Sequence, residues 1–163
     1  MFITIADFSA SGKYELHTGI YDVARLQAYI EKYEKRYLVN LLGVKLYEDF
    51  IANQTNPEFV FIYDPFEFDY SRCVIISEGM KDMLSGFIYF EYLKDLTNQI
   101  TPSGNVRPIG ENSADVSTLY TMMYNRYNES IRTYKAIQTF ICVGKEFVYN
   151  DFNGVNKESA YWL

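Results

Sequence analysis

The chain has 163 residues and a formal net charge of −6, and 48% of its residues are hydrophobic against 22% charged. This length fits one domain with its own core, and the composition argues against a disordered chain. Sequence-specific nucleic-acid binding needs a basic face that displaces counterions from phosphates, and no such face is visible. The densest basic cluster is Lys32, Lys35 and Arg36, which shares its segment with two glutamates.

The aromatic content is the unusual feature of the composition, with 16 Tyr and 12 Phe. Tyrosine buries a ring and keeps a polar tip, so it suits contacts between subunits. A Tyr-rich core is the equally weighted alternative. Cys73 and Cys142 stand among apolar residues, which predicts buried free thiols. The N-terminus lacks a basic leader and no apolar run nears 18 residues, so we expect neither a signal peptide nor a membrane span.

Residues 1–20 are predicted to form an N-terminal arm that is extended, with at most weak strands. The segment breaks at Ser9–Gly12 and then alternates only loosely. His17 is the only histidine of the chain, and it has no histidine or cysteine neighbour with which to share a metal ion. We therefore expect no metal site there.

The first strong helical period covers Tyr21–Leu42, with Asp22 as a candidate N-cap. Its apolar stripe consists of Val23, Leu26, Ile30, Tyr33, Tyr37 and Leu41. Gly43 ends this helix, and a shorter one is predicted over Val44–Asn53. Leu46, Phe50 and Ile51 are its expected inward residues.

The next segment is dense in β-branched and aromatic residues. Glu58–Tyr63 and Cys73–Ile76 are predicted to be strands, connected by residues 64–72, so a small hairpin is expected near residues 58–76. Asp64, Glu67 and Asp69 are then interpreted as a solvated turn.

A third helix is predicted over Ser77–Gln99, with Ser77 as its cap. Apolar residues cover most of its circumference, so it is expected at the centre of a bundle. Gly86 costs helix propensity and indicates a close crossing with another helix.

A stretch with two prolines and two glycines follows at Thr101–Asn112. These residues favour an irregular loop, and long loops inside compact domains are often functional; a plain surface connection is the alternative. The longest helical period covers Ser113–Val143. Its stripe consists of Val116, Leu119, Met123, Tyr127, Ile131, Tyr134, Ile137 and Ile141.

Residues 144–163 are predicted to be a C-terminal arm. Glu146–Tyr149 favours a brief strand, and the rest has no period and ends in aromatic residues. Such a terminus either folds back on the helices or docks on a partner, and we expect the partner. The candidate residues for binding a portal or another subunit are Phe147, Tyr149, Phe152, Tyr161, Trp162 and Leu163.

The sequence contains no nucleotide-binding glycine loop, no paired Cys-x-x-Cys, no His-Glu-x-x-His and no Gly-x-Ser-x-Gly. With a single histidine in a weakly structured segment, a Ser/His/Asp or Cys/His mechanism has little support. We therefore predict a protein that is not an enzyme and needs no cofactor.

The order of elements resembles a known family. Tyr29–Gly43 (YIEKYEKRYLVNLLG) with Leu46–Phe50 (LYEDF) resembles the start of small virion proteins in crAss-like and other tailed phages that infect Bacteroidota. Met83–Leu93, a loop ending in Pro108–Asn112 (PIGEN) and a Tyr-rich helix containing Asn125–Ser130 (NRYNES) follow in the order of that family. The family is that of the head–tail connector proteins, also called adaptor or head-completion proteins.

The predicted fold is mainly α: a four-helix connector-type bundle in one domain, with a helical core at 21–143, a small hairpin and extended terminal arms. The hairpin and the N-terminal arm depart from the usual pattern of the family that the chain resembles. The resemblance implies a homo-oligomeric ring, typically of twelve subunits, in the neck of the virion. The ring would join head to tail beneath the portal and continue the channel for genomic DNA, which passes without sequence-specific binding. Further neck and tail ring proteins are implied as partners.

The resemblance also implies roles for the loop and the C-terminal arm. The arm would reach the portal or an adjoining ring, and the loop would lie near the channel or a neighbouring subunit. The loop candidates are Asn105, Arg107, Glu111 and Asn112. Two alternatives stay open: a cellular helical interaction module whose tail folds onto its own core, and another phage neck component such as a stopper or tail-completion protein.

Overall fold

The structure is a computed structural model that describes residues 2–9, 12–16, 22–97, 99–101, 104–106, 116–144 and 147–160. These residues are mainly helical. The helices are α1 (Ala6–Ser9), α2 (Val23–Leu42), α3 (Val44–Ala52), α4 (Pro57–Tyr63), α5 (Gly79–Thr97) and α6 (Val116–Val143). The strands are β1 (Phe66–Tyr70), β2 (Cys73–Ser77), β3 (Gln99–Thr101) and β4 (Gly104–Val106), which pair as two antiparallel hairpins, β1–β2 and β3–β4.

Helix α5 lies at the centre, as its apolar circumference predicted. It packs most extensively against α6 and also contacts α2 and α4. Met83, Leu84, Phe87 and Ile88 have no exposed surface. The close crossing predicted at Gly86 is confirmed, because a Cβ built there would lie 2.0 Å from Ser130 Oγ of α6.

Helices α2 and α3 follow their predicted bounds closely. Asp22 Oδ1 accepts a hydrogen bond from the Arg25 N–H at 2.8 Å and so caps α2. Two predicted inward residues are wrong: Val23 is 57% exposed and Ile51 is 39% exposed. Each stands at an end of its helix, where the apolar stripe runs past the neighbouring element.

The predicted hairpin is shifted along the chain. Residues 57–63 form helix α4 rather than a strand, because Pro57 suits the first helical turn and Phe59 and Ile62 then share a buried face. The partner of β2 is β1, which was interpreted as a solvated turn. The two strands join through a two-residue turn in which Ser71 has φ 60°.

The stretch after α5 is more regular than its composition predicted. Gln99–Thr101 pairs with Gly104–Val106, so part of the expected loop is a short hairpin. Ile100 and Val106 are β-branched residues, which favour extended backbone, and residues 102–103 lie outside the described residues. The rest of that stretch, 107–112, lies outside the described residues, as does the predicted start of the last helix at 113–115.

The N-terminal segment is not an extended arm. It forms the single turn α1, and Ile3 and Phe8 are fully buried. The carboxylate of Glu34, which is buried on α2, accepts hydrogen bonds from the backbone N–H groups of Phe2 and Ile3, both at 2.8 Å. Two apolar anchors and a buried acceptor therefore fix a segment that has no helical or strand period.

The prediction of buried thiols is wrong, since Cys73 and Cys142 are both exposed. Cys73 lies at the outer end of β2, and Cys142 follows the buried Ile141 on α6 but points away from the core. The Tyr-rich core is confirmed by the burial of Tyr33, Tyr37, Tyr89, Tyr92 and Tyr134. No helix in the described part of the chain is both long enough and apolar enough to cross a bilayer.

Candidate functional site: the C-terminal segment and its seat

The end of helix α2 creates the need for a partner segment. The last four carbonyls of a helix have no acceptor role within the helix itself and need donors from elsewhere. In α2 the Val39 carbonyl accepts from the Gly43 N–H at 2.8 Å. The next three carbonyls, those of residues 40–42, need donors from the C-terminal part of the chain.

Residues 152–160, here called the tail segment, supply most of the missing donors. The Val155 N–H donates to the Asn40 carbonyl at 2.6 Å, and the Asn153 N–H donates to the Leu42 carbonyl at 3.3 Å. The Leu41 carbonyl accepts from Gln138 Nε2 of α6 at 3.1 Å. All four terminal carbonyls of α2 are thereby satisfied.

Tyr134 and Gln138 of α6 join the helix end to the tail segment. The Tyr134 hydroxyl lies 2.7 Å from the Asn40 carbonyl oxygen and 2.5 Å from the Val155 carbonyl oxygen, and donates its one proton to either. Gln138 Nε2 also donates to the Val155 carbonyl at 3.2 Å. Burial raises the pKa of Tyr134 well above its ordinary value, which keeps the hydroxyl protonated as a donor.

Two glycines allow the backbones to approach closely. A Cβ built on Gly154 would lie 2.2 Å from the Leu41 carbonyl oxygen and 2.5 Å from Gln138 Nε2. Gly43 has φ 84°, and a Cβ there would lie 2.9 Å from the backbone of Asn153. Any other residue at position 154 must therefore move the tail segment away from α2.

Lys157 places its ammonium against an aromatic box. Nζ lies 4.7 Å from the ring centroid of Tyr37 and 5.9 Å from the ring centroids of both Phe87 and Tyr134. These three rings come from α2, α5 and α6 and are buried. Such distances are within the range of cation–π attraction.

The surroundings of the box both lower and raise the pKa of Lys157. Burial lowers the pKa of the half-buried Lys157 ammonium, nearby Arg36 lowers it further, and Glu91 opposes this. Glu91 is held beside the box because its Oε1 accepts from the Tyr37 hydroxyl at 2.8 Å. Among the described residues Lys157 has no ion-pair partner within 4.0 Å, so the rings are its main attraction.

Asn128 holds the far end of the tail segment by its backbone. Asn128 Nδ2 donates to the Ala160 carbonyl at 2.7 Å, and the Ala160 N–H donates to Asn128 Oδ1 at 2.9 Å. A side-chain amide that pairs with both backbone polar groups of one residue binds an extended backbone whatever side chain that residue carries. The seat is therefore defined as the α2 end together with Tyr37, Phe87, Asn128, Tyr134 and Gln138.

Three of the predicted portal-binding or subunit-binding residues lie on the chain's own helices. Phe147 contacts Phe61 with ring centroids 5.7 Å apart, and the Tyr149 hydroxyl donates to the Glu58 carbonyl at 2.6 Å. Phe152 is half-buried against the core. Residues 147–149 form no strand. The described C-terminal residues thus follow the alternative of folding back, and Tyr161, Trp162 and Leu163 lie outside the described residues.

Of the predicted loop residues, the structure describes only the backbone of Asn105. The backbone of Asn105 belongs to β4. Arg107, Glu111 and Asn112 lie outside the described residues.

A groove of about 460 Å³ runs beside the tail segment on α6. Its polar rim includes Lys135, Lys157 and Glu158, and the Lys135 Nζ lies 3.6 Å from Glu158 Oε2. Within the described ranges no three His, Cys, Asp or Glu side chains are placed to hold a metal ion. The arrangement is suited to binding an extended peptide.

Sequence reasoning missed the residues of the seat. Gln138 stands next to the apolar stripe of α6, and a polar residue at such a position is a sequence signal for a buried hydrogen-bond partner. The structure buries Gln138 and gives it a backbone partner. Asn128 does not belong to the predicted apolar stripe of α6, and Lys157 and Gly154 stand in a segment without a period. Their partners are more than 15 residues away in sequence, so no local pattern identifies them.

No protein-family model, curated protein or solved structure matches this chain.

Proposed function

We propose that this chain is a structural virion protein that forms a ring beneath a phage portal, joins head to tail and continues the DNA channel. The observation that carries the proposal is the tail segment in its seat. A chain that holds an extended segment by backbone hydrogen bonds, an aromatic box and an amide clamp has a ready means of linking subunits. The order of elements, from Tyr29–Gly43 to Asn125–Ser130, supplies the phage context by resemblance.

The architecture is compatible with a connector-type bundle. The long helices α2 and α6 pack against the long central helix α5, and we propose the shorter α3 or α4 as the fourth member. We propose a ring of about twelve copies, the number typical of the connectors that it resembles. The portal and further neck proteins are its proposed partners.

The charge supports a channel through which DNA slides. The net charge of −6 per chain is repeated around a ring, which suits a channel whose wall does not bind the phosphates of genomic DNA. The proposed location is the neck of the virion.

The second candidate is a cellular helical interaction module whose tail folds onto its own core. The docked tail segment is the observation in its favour, because residues 153 and 155 donate to the C-terminal end of α2 and Ala160 pairs with Asn128. The two candidates differ in assembly: the connector forms rings or binds a portal, and the module does neither.

The test is a cryo-EM reconstruction of intact virions from the phage that encodes this chain, preceded by light scattering on the purified protein. The proposal expects a helical ring against the portal that contains this sequence. Absence of the chain from the virion, together with a monomer in solution, would overturn it and leave the module as the better account.

A further inference from the structure

The tail segment begins at a strained hinge. Asp151 has φ 59°, in the left-handed region that residues with a Cβ rarely adopt. Asp151 Oδ1 lies 3.4 Å from Lys45 Nζ in an exposed pairing, the one ion pair that Asp151 makes with the described residues. A change of φ at this one residue would swing the tail segment off the seat and relieve the strain.

The seat selects the sequence that occupies it. Position 154 must be glycine because the Leu41 carbonyl and Gln138 leave no space for a Cβ. Position 157 must carry a cation that reaches the rings of Tyr37, Phe87 and Tyr134. The occupant with this spacing that is certain to be present in solution is the same segment of another copy of this chain.

Two hydrogen bonds that position the side chains of the seat do not depend on the tail segment. The Tyr134 hydroxyl retains the Asn40 carbonyl as an acceptor, and Gln138 retains the Leu41 carbonyl. Neither contact involves the tail segment. An incoming segment therefore meets a preformed site, which lowers the cost of exchange.

We propose that the tail segment is exchanged between copies: in the assembled protein, residues 152–160 of one chain occupy the seat of its neighbour, with Asp151 as the hinge. The inference rests on the proposed function in that the chain assembles with copies of itself. It goes further by naming a second copy of this chain, rather than the portal, as the partner of the segment.

Two physical conditions make the exchange feasible. Residues 150–152 connect Tyr149, which stays on its own α4, to Asn153, the first residue bonded to the seat. They span about 10 Å when extended at roughly 3.3 Å each, so exchange takes place between copies whose α2 ends lie side by side. In dilute solution the seat is occupied by the chain's own tail segment, because the short connection gives that segment a high effective concentration. Within an assembly the neighbour's tail is held equally near, and the relief of strain at Asp151 then favours exchange.

The experiment uses cross-linking between two differently sized versions of the full chain. Cys73→Ser and Cys142→Ser remove the native thiols, one version carries Lys135→Cys, and a size-tagged version carries Glu158→Cys. These two side chains are exposed and face each other across the seat, so the substitutions leave the buried contacts intact. A short bis-maleimide then links them, and only exchange between chains yields the mixed product.

The matched control replaces Glu158→Cys with Val148→Cys, a position that is 78% exposed and precedes the hinge. Exchange predicts a mixed product that is at least several-fold more abundant than with the control. Mixed product no greater than in the control, in samples that light scattering shows to be assembled, overturns the inference and leaves the ring proposal standing.

Hinge variants give an independent reading. Asp151→Pro forbids a positive φ and should raise the mixed product, while Asp151→Gly accepts φ 59° without strain and should lower it. Equal yields from both variants contradict the hinge. A pair of chains that exchange tails in a protein that is absent from virions would support this inference and overturn the proposed function.

Discussion

At the scale of single residues, the tail segment depends on the one position that tolerates no side chain beyond hydrogen. Gly154 lies where a Cβ would meet the Leu41 carbonyl oxygen, a backbone atom that cannot rotate away. Glycine is required at position 154 because there is no space for a Cβ, and not because the backbone conformation demands it. Its role is invisible in sequence because the atom that it avoids is more than 100 residues away.

We predict that Gly154→Ala undocks the tail segment. The added methyl group must displace the segment from α2, with an expected loss of about 1–2 kcal/mol in the free energy of unfolding. Urea unfolding followed by circular dichroism measures it. Asn156→Ala, an exposed substitution in the same segment, is the control and should change stability by less than about 0.5 kcal/mol. Equal effects of the two substitutions would contradict the assigned role of Gly154.

A second residue-scale prediction concerns acid stability. Burial opposes ionisation of Asp7, but hydrogen bonds from Lys81 Nζ and the Thr4 N–H, both at 2.8 Å, outweigh it and hold the pKa of Asp7 below its usual value. The stabilisation is present above the ordinary pKa and is lost as the pH falls through the folded-state pKa. We therefore expect Asp7→Asn to flatten the decline of stability below about pH 4.

The measurement is the urea midpoint of the wild type and of Asp7→Asn at several pH values between neutrality and pH 2. Asp49→Asn, which removes an exposed carboxylate on α3, serves as the control. If the urea midpoints of Asp7→Asn and Asp49→Asn depend on pH in the same way, the Asp7–Lys81 pair does not control the loss of stability at low pH.

At the scale of elements, the long helices were predictable and the short elements were not. An apolar pattern sustained over five or more turns identifies the long helices, as a stripe in α2 and α6 and over most of the circumference in α5. Helix α4 has only seven residues, and its Phe-Val-Phe-Ile run has the β-branched and aromatic content of a strand. Pro57 and the packing of Phe59 and Ile62 decided between the two, and the packing depends on tertiary contacts.

The candidate site shows the same division. Sequence predicted that the C-terminus matters and gave its two possible fates, but it favoured docking on a partner, and the described residues 147–160 lie on the chain's own helices. The seat itself could not be predicted, since it consists of the unsatisfied end of α2 and side chains from two other helices. Only the register of α6 against α2 brings Gln138 to the Leu41 carbonyl.

The crossing of α5 and α6 gives a prediction at this scale. Gly86→Ala improves helix propensity by about 1 kcal/mol, but its methyl group would lie 2.0 Å from Ser130 Oγ and 3.0 Å from the Tyr14 hydroxyl. We expect a net loss of about 1–2 kcal/mol because the helices must separate or Ser130 must give up its bond to the Arg126 carbonyl.

A double-mutant cycle tests this origin of the loss. Ser130→Ala in the Gly86→Ala background removes the nearest atom and should recover part of the stability. Additive losses from the two substitutions would show that the crossing is not the cause.

At the scale of the whole molecule, the helical core and the tail segment are separable. Without the tail, the carbonyls of Asn40 and Leu41 keep donors from Tyr134 and Gln138, and only the Leu42 carbonyl turns to water. The core therefore does not need the tail to satisfy its buried polar groups. This separability is what a linking segment requires.

We predict that a chain ending at Asp151 still folds cooperatively. Its free energy of unfolding should fall by about 1–2 kcal/mol through the lost backbone hydrogen bonds and the burial of Phe152, with a single transition retained. Denaturant titration measures both quantities. A broad, non-cooperative transition would show that residues 152–160 belong to the core.

The two thiols differ in their surroundings, so the reactivity of Cys142 can report on the tail segment and that of Cys73 can serve as the reference. Cys142 lines the groove beside the tail segment, whereas Cys73 lies on the β1–β2 hairpin. The rate at which a coloured disulfide reagent modifies Cys142 should therefore rise when Gly154→Ala frees the tail, while the rate at Cys73 stays constant. Departure of the segment becomes a kinetic signal that needs no label, with the second sulfur in the same chain correcting for reagent and pH.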